Sequence, residues 1–337
     1  LSRGLGDVYK RQVLDAVKKR DVSVDILKFF AVILITNSHM AHLYVKFSAL
    51  ATGGAIGDVF FFFCSGFTLF LSKQRRFDNY YKRRINRIYP TVFMWALLAS
   101  VLFNNKDNMQ EIIIWGGGWF VTCIMIYYVV LYFIRRFVFD YLKAVFVLLL
   151  VLSFVAYYFW DNSSHCLIYG NTYLKWGLYF LYMLLGAMVG CGKVKVISFS
   201  FKKDLICCII SLIAFYGILW AGTKSELFFS LQIVTLLPLF GITFYFYKLC
   251  NSASVKKLIE NKYTAPVVKI VSGLCLEIYV VQYWVMTDKL NSLFPMNIPI
   301  VFVLITCFAY LLRCMSRWFS QTFKDADYDW KAIFKVY

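Results

Sequence analysis

The chain has 337 residues, of which 61% are hydrophobic and only 16% charged, with a formal net charge of +18 and a mean hydropathy of +0.66. Soluble domains carry roughly 45–50% apolar and about 25% charged residues, so this composition excludes a soluble globular protein and marks an integral membrane one. The positive charge is scattered over many short connections, which argues against nucleic acid as a partner and for anionic lipid headgroups.

The opening LSRGLGDVYKRQ lacks an initiator Met and is neither apolar enough nor shaped like a signal peptide. Residues 1–12 are read as a non-native leader and set aside. Ten apolar segments follow, at about 22–44, 54–72, 89–103, 119–134, 144–160, 176–190, 205–221, 226–247, 267–286 and 298–313. Runs such as AVFVLLLVLSFVAYYFW meet the roughly 17–25 residues that a membrane helix needs. The third segment is the shortest and contains Pro90. The expected fold is all-α, a polytopic membrane bundle of about ten transmembrane helices. One domain covers 13–315, and 316–337 form a cytoplasmic tail.

Lys and Arg in the connections set the orientation, because cytoplasmic loops collect them. Of the 36 basic residues, one side receives only Lys46, Lys106, Lys175, Lys224 and Lys289, one for each outer loop. The other side takes the rest except the intramembrane Lys28, including KQRR at 73–76 and YKRRINR at 81–87. Both termini are therefore expected in the cytoplasm. Nine of the ten Cys fall in helices or at inner ends and only Cys166 in an outer loop, which leaves no disulfide framework and no metal-site spacing. No metal is expected.

The first segment, VDILKFFAVILITNSHM, carries polar groups that are rare inside a bilayer. Lys28 and His39 are eleven residues apart, which on a helix brings them within about 20° of one face and roughly 16 Å apart along the axis. Two such groups on one stripe suggest a polar path through the bundle, against the blander reading of a snorkelling Lys and a His bonded to a neighbouring helix. Asp25 can pair with Lys28 at i, i+3. His39 and His42 lack a nearby carboxylate and make a weak metal signal. Asp58, near the outer start of the second segment, could orient the imidazole or equally cap its own helix. Arg84 and Arg87 share a helix face where the chain re-enters the membrane. Their guanidinium forks suit phosphate oxygens, although positive-inside anchoring alone would explain the cluster.

The basic–ten residues–His spacing of Lys28 and His39 resembles the first helix of acyltransferase family 3, integral-membrane O-acyltransferases of bacterial surface glycans. Gly57, Phe61, Phe62, Ser65, Gly66 and Phe67 are similar to its Gly…Phe-Phe-x-x-Ser-Gly-Phe pattern. Arg84, Arg87, Ile88 and Pro90 resemble its Arg-x-x-Arg-Ile-x-Pro, and GGWFV at 117–121 resembles its Trp-Phe segment. LEIYVVQ at 276–282 is similar to its late Leu-Glu-Ile-Tyr-Leu-Leu-His block, with Gln282 where that block has His. The similarity runs from about 20 to 315.

The resemblance implies a multi-pass protein of the bacterial cytoplasmic membrane. It would move an acyl group, most often acetyl, from cytosolic acyl-CoA, here acetyl-CoA, to a hydroxyl of a glycan or lipid-linked sugar. His39 would be catalytic with Lys28 its basic partner, and Arg84 with Arg87 would bind the acyl-CoA. The alternative is a proton-coupled transporter or flippase of a glycan precursor, which ten helices with an intramembrane Asp, Lys and His would also suit. Carriers often show repeated halves and helices broken in matching positions, and the sequence displays neither. Acceptor identity and oligomeric state are not set by the sequence.

Overall fold

The computed structural model describes residues 21–336, apart from 73–74, 106, 160–166, 171, 195 and 197–198. The leader assigned to residues 1–12, together with Lys106 and Cys166, lies outside the described residues. The described residues are helical and contain no strand. In chain order the helices are α1 (Val22–Ser38), α2 (Gly54–Leu71), α3 (Phe77–Phe103), α4 (Met109–Trp115), α5 (Gly118–Phe137), α6 (Leu142–Phe159) and α7 (Leu174–Gly190). They continue as α8 (Phe201–Gly222), α9 (Glu226–Ser230), α10 (Leu236–Asn251), α11 (Ala253–Ile259), α12 (Thr264–Gly273), α13 (Cys275–Val285), α14 (Asn297–Thr322) and α15 (Trp330–Ile333).

Among the described residues seven helical spans are long and apolar enough to cross a membrane, and α12 with α13, bent by 79° between Gly273 and Cys275, could make an eighth. The protein is a multi-pass membrane helix bundle. Each of the ten apolar segments contains a helix, but α1 and α7 have 17 residues each, below the length of the seven. The third segment is not short. It is the C-terminal part of α3, a 27-residue helix that carries Pro90 inside it and YKRRINR in its first half. The helix outlasts its apolar run, because backbone hydrogen bonding does not stop where hydropathy falls. Likewise α14 runs on to Thr322, past the expected domain edge at 315.

Local chemistry starts several of these helices. Asp21 caps α1, accepting the Ser23 N–H at 2.9 Å and the Ser23 hydroxyl at 2.6 Å, and so satisfies donors the first turn leaves free. Asn108 and Glu111 form a reciprocal capping box at the start of α4.

The span containing α2 is the axle of the bundle, with 61% of its apolar window buried, whereas those of α6 and α8 bury 11% and line the periphery. Close approach to α2 depends on glycine. A Cβ on Gly66 would fall inside the Met183 carbonyl of α7, and one on Gly186 inside the Phe63 carbonyl of α2. A Cβ on Gly57 would sit 2.8 Å from the Ala31 carbonyl of α1. Small residues let membrane helices meet backbone to backbone, where dispersion and short polar contacts hold them. Helices α1, α2 and α7 are therefore locked at fixed spacing.

Candidate active site

Two joined hollows run into the bundle from the end where Arg84 and Arg87 lie. The wider has a volume of about 590 Å³ and is lined by Asp21, Asp25, Lys28, Arg87, Arg313 and Arg317 among others. This falls within the roughly 300–1,000 Å³ typical of small-molecule sites. The second, about 170 Å³, shares Lys28, Arg87, Glu277 and Arg313 with the first and reaches on to Ile35, Phe61, Phe120 and Tyr279. Arg84 lines this inner chamber as well. Lys28, Arg84 and Arg87, singled out in the sequence, thus face one continuous cavity. Asp25 lines its mouth beside Lys28.

Arg84 is held between aromatic faces, its guanidinium carbon 5.4 Å from the Tyr80 ring centroid and 5.5 Å from that of Tyr128. Stacking of this kind fixes the fork and leaves its edge free to bond an anion. Its Nε is buried and makes no hydrogen bond within the described residues. Arg87, by contrast, is exposed at the cavity mouth.

His39 is the residue that ends α1. It does not line either hollow, but Ile35 in the turn before it does. Its partner is Tyr283 on α13, with ring centroids 4.6 Å apart and planes tilted by 55°. The Tyr283 hydroxyl oxygen lies 2.8 Å from Nε2 and 3.3 Å from Nδ1. Those nitrogens point away from each other across the ring, so one oxygen cannot lie along both lone pairs. It bonds one ring nitrogen at a time, with donor and acceptor set by the tautomer.

Asp58 is not what touches the imidazole. It lies buried close to Lys175 and Tyr179, and near enough to Tyr279 and Tyr283 to act on them electrostatically. Lys175 in turn lies 4.1 Å from the centroid of the Trp119 ring and is 6% exposed. This corrects its assignment to an outer loop. It belongs to the first turn of α7, turned inward where an aromatic face receives it and the Asp58 charge is near.

Sequence reasoning also passed over the polar lock at the helix break. Arg313 donates Nε to Glu277 Oε1 at 3.1 Å and Nη2 to Oε2 at 2.7 Å. The same Nη2 takes the Gly273 carbonyl at the end of α12, and Thr91 donates to Oε1 at 3.5 Å. Glu277 was a usable signal, since a carboxylate inside an apolar segment needs a cation. Tyr283 offered less, being one more aromatic in a chain rich in them. Gln282 is fully buried, and its side-chain amide makes no hydrogen bond within the described residues.

Among the described residues no three His, Cys, Asp or Glu side chains gather closely enough to hold a metal ion. The arrangement offers a basic cavity fit for a phosphorylated ligand, and beyond its inner end an imidazole bonded to the Tyr283 hydroxyl. A family model described as an acyltransferase domain (Acyl_transf_3) matches residues 21–314, most of the chain. No curated protein and no solved structure matches it.

Proposed function

The chain belongs to this acyltransferase family, and from that premise we propose that it carries an acyl group, acetyl above all, from cytosolic acyl-CoA to a hydroxyl of a surface glycan or lipid-linked sugar. One observation supports this reading most. A single cavity starts among Lys28, Arg87, Arg313 and Arg317 and ends at Ile35 and Tyr279, each one helical turn short of the His39–Tyr283 pair. The reading places both termini and the cavity mouth in the cytoplasm of a bacterial inner membrane, where the basic residues favour them.

On this reading Arg84 and Arg87 bind the phosphates of CoA, for which planar guanidinium forks are suited. The pantetheine arm threads along α1 past Lys28, which lines the path of the thioester. The acceptor comes from the opposite face. Its hydroxyl oxygen attacks the thioester carbonyl carbon while a neutral His39 nitrogen takes the hydroxyl proton, as general-base chemistry near neutral pH requires. The π pair moves onto the carbonyl oxygen. When it returns, the C–S bond breaks and the CoA thiolate leaves, taking the proton from His39. Asp58, near Lys175 and Tyr179, acts at a distance through its charge.

The test is release of free thiol from acetyl-CoA by the purified chain, with mass spectrometry of the host's surface glycans with and without the gene. Wild-type thiol release from His39→Ala would sink the assignment of the base. A carrier is the second reading, favoured by the 79° break between Gly273 and Cys275, since discontinuous helices frame carrier sites. Carriers use such breaks in matched pairs, and the described residues hold one.

A further inference from the structure

Acyl transfer creates an oxyanion, and none of the cations along the cavity can reach it beside His39. Lys28 is roughly 16 Å along the helix axis from His39, and Arg84 and Arg87 sit with it toward the basic end. A different donor is built into the inner chamber. Tyr279 lines that chamber, its ring 5.4 Å from that of Phe120. Its hydroxyl lies against the first turn of α5, close enough that a Cβ on Gly118 would be 3.1 Å from it. Gly118 has a φ of +64°, a conformation that glycine adopts without strain, and this lets the backbone pass beneath the hydroxyl.

A phenolic hydroxyl that faces a cavity can turn its hydrogen toward a ligand oxygen there. Tyr279 stands four residues before Tyr283 on one face of α13, so its hydroxyl is about one turn, ~5.4 Å, below the contact with His39. That spacing suits a carbonyl whose carbon is attacked by an oxygen bonded to His39.

We propose that the Tyr279 hydroxyl is the oxyanion donor of the reaction, stabilising the charge that develops on the acyl carbonyl oxygen at the end of the inner chamber. The assignment rests on the acyl-transfer reading above. Preorganised donors of this kind are worth about 100- to 1,000-fold in kcat.

The experiment compares purified full-length wild type, Tyr279→Phe and His39→Ala in detergent, with acetyl-CoA as the probe. It reads thiol release, acetyl-CoA affinity by calorimetry, and melting temperature. Tyr279→Phe keeps the ring and its packing, so the expected result is a kcat lower by about 100- to 1,000-fold with affinity and melting temperature unchanged. A Tyr279→Phe kcat within twofold of wild type, while His39→Ala is inactive, overturns the oxyanion role and leaves the acyl-transfer reading standing. Loss of acetyl-CoA affinity or of folding in Tyr279→Phe makes the residue a binding or structural one and also overturns it. Full activity of His39→Ala brings down the underlying reading, and this assignment with it.

Discussion

Arg313 holds both carboxylate oxygens of Glu277, at 3.1 and 2.7 Å, and the Gly273 carbonyl with the same guanidinium. One side chain thus closes the break between α12 and α13. Both partners are largely buried, with side-chain exposures of 16% and 5%. Arg313→Ala leaves a buried carboxylate unpaired, a change that typically costs about 3–5 kcal/mol. Glu277→Gln in the same background removes that charge and is expected to return part of the loss. Melting temperatures of the single and double variants in detergent check this, and equal values for all of them would show that the pair is not the lock.

His39→Ala is expected to lower acyl transfer by about 100- to 10,000-fold, the usual range for a positioned acid–base group. Tyr283→Phe keeps the ring contact and deletes one neutral hydrogen bond of about 0.5–1.5 kcal/mol. Its loss is therefore the milder one, between about twofold and tenfold. A Tyr283→Phe defect as deep as that of His39→Ala would make the hydroxyl a chemical participant.

Arg84→Ala and Arg87→Ala are expected to raise KM for the acyl donor while leaving kcat largely intact. Hydrogen bonds to charged groups are worth about 1.5–3 kcal/mol. Arg84, fixed between Tyr80 and Tyr128, gives the larger effect. The contribution of the exposed Arg87 fades as salt rises, because solvent-exposed charges are screened. Initial rates across acetyl-CoA and salt concentrations separate the two.

The glycine contacts make a prediction with an internal control. Gly66→Ala and Gly186→Ala each put a methyl group into the opposing backbone, and overpacking of this kind costs about 1–3 kcal/mol or more. Gly177 lies in α7 with nothing within 4 Å of its would-be Cβ. Gly177→Ala should be neutral or stabilise by about 0.5–1 kcal/mol. Yields of folded protein and melting temperatures decide the comparison.

Asp58 and Lys175 should behave as a unit. Neutralising either one strands the other, whereas Asp58→Asn combined with Lys175→Met removes both charges. Buried pairs respond non-additively in this way, so the double variant is expected to be more stable than Lys175→Met alone. Additive losses in thermal unfolding would show that the two charges do not depend on each other.

Much of this architecture was legible before any coordinates. Hydropathy located the helices, and of the stripe expected to carry Lys28 and His39 the cavity wall takes Lys28, while His39 at the end of α1 lies outside both hollows. What escaped notice were features that depend on two elements meeting. Lys175 looks like an outer-loop cation until Asp58 and Trp119 stand beside it. Nothing in VSGLCLE announces a bend of 79°, since glycine is common in straight membrane helices as well. Tyr283 becomes the partner of His39 only because that bend turns α13 toward the end of α1. Pairing in space is a property of the fold, and one strand of sequence carries only half of each pair.

The inner chamber also has a consequence for what the protein admits. It is only about 170 Å³ and is walled by Ile35, Phe61 and Phe120, side chains held in place by an axle that glycine contacts keep from widening. On the proposed route it is the space an acyl group must occupy to come within reach of His39. Such a chamber works as a ruler, in which each methylene added to the acyl chain must displace a packed ring or stay outside.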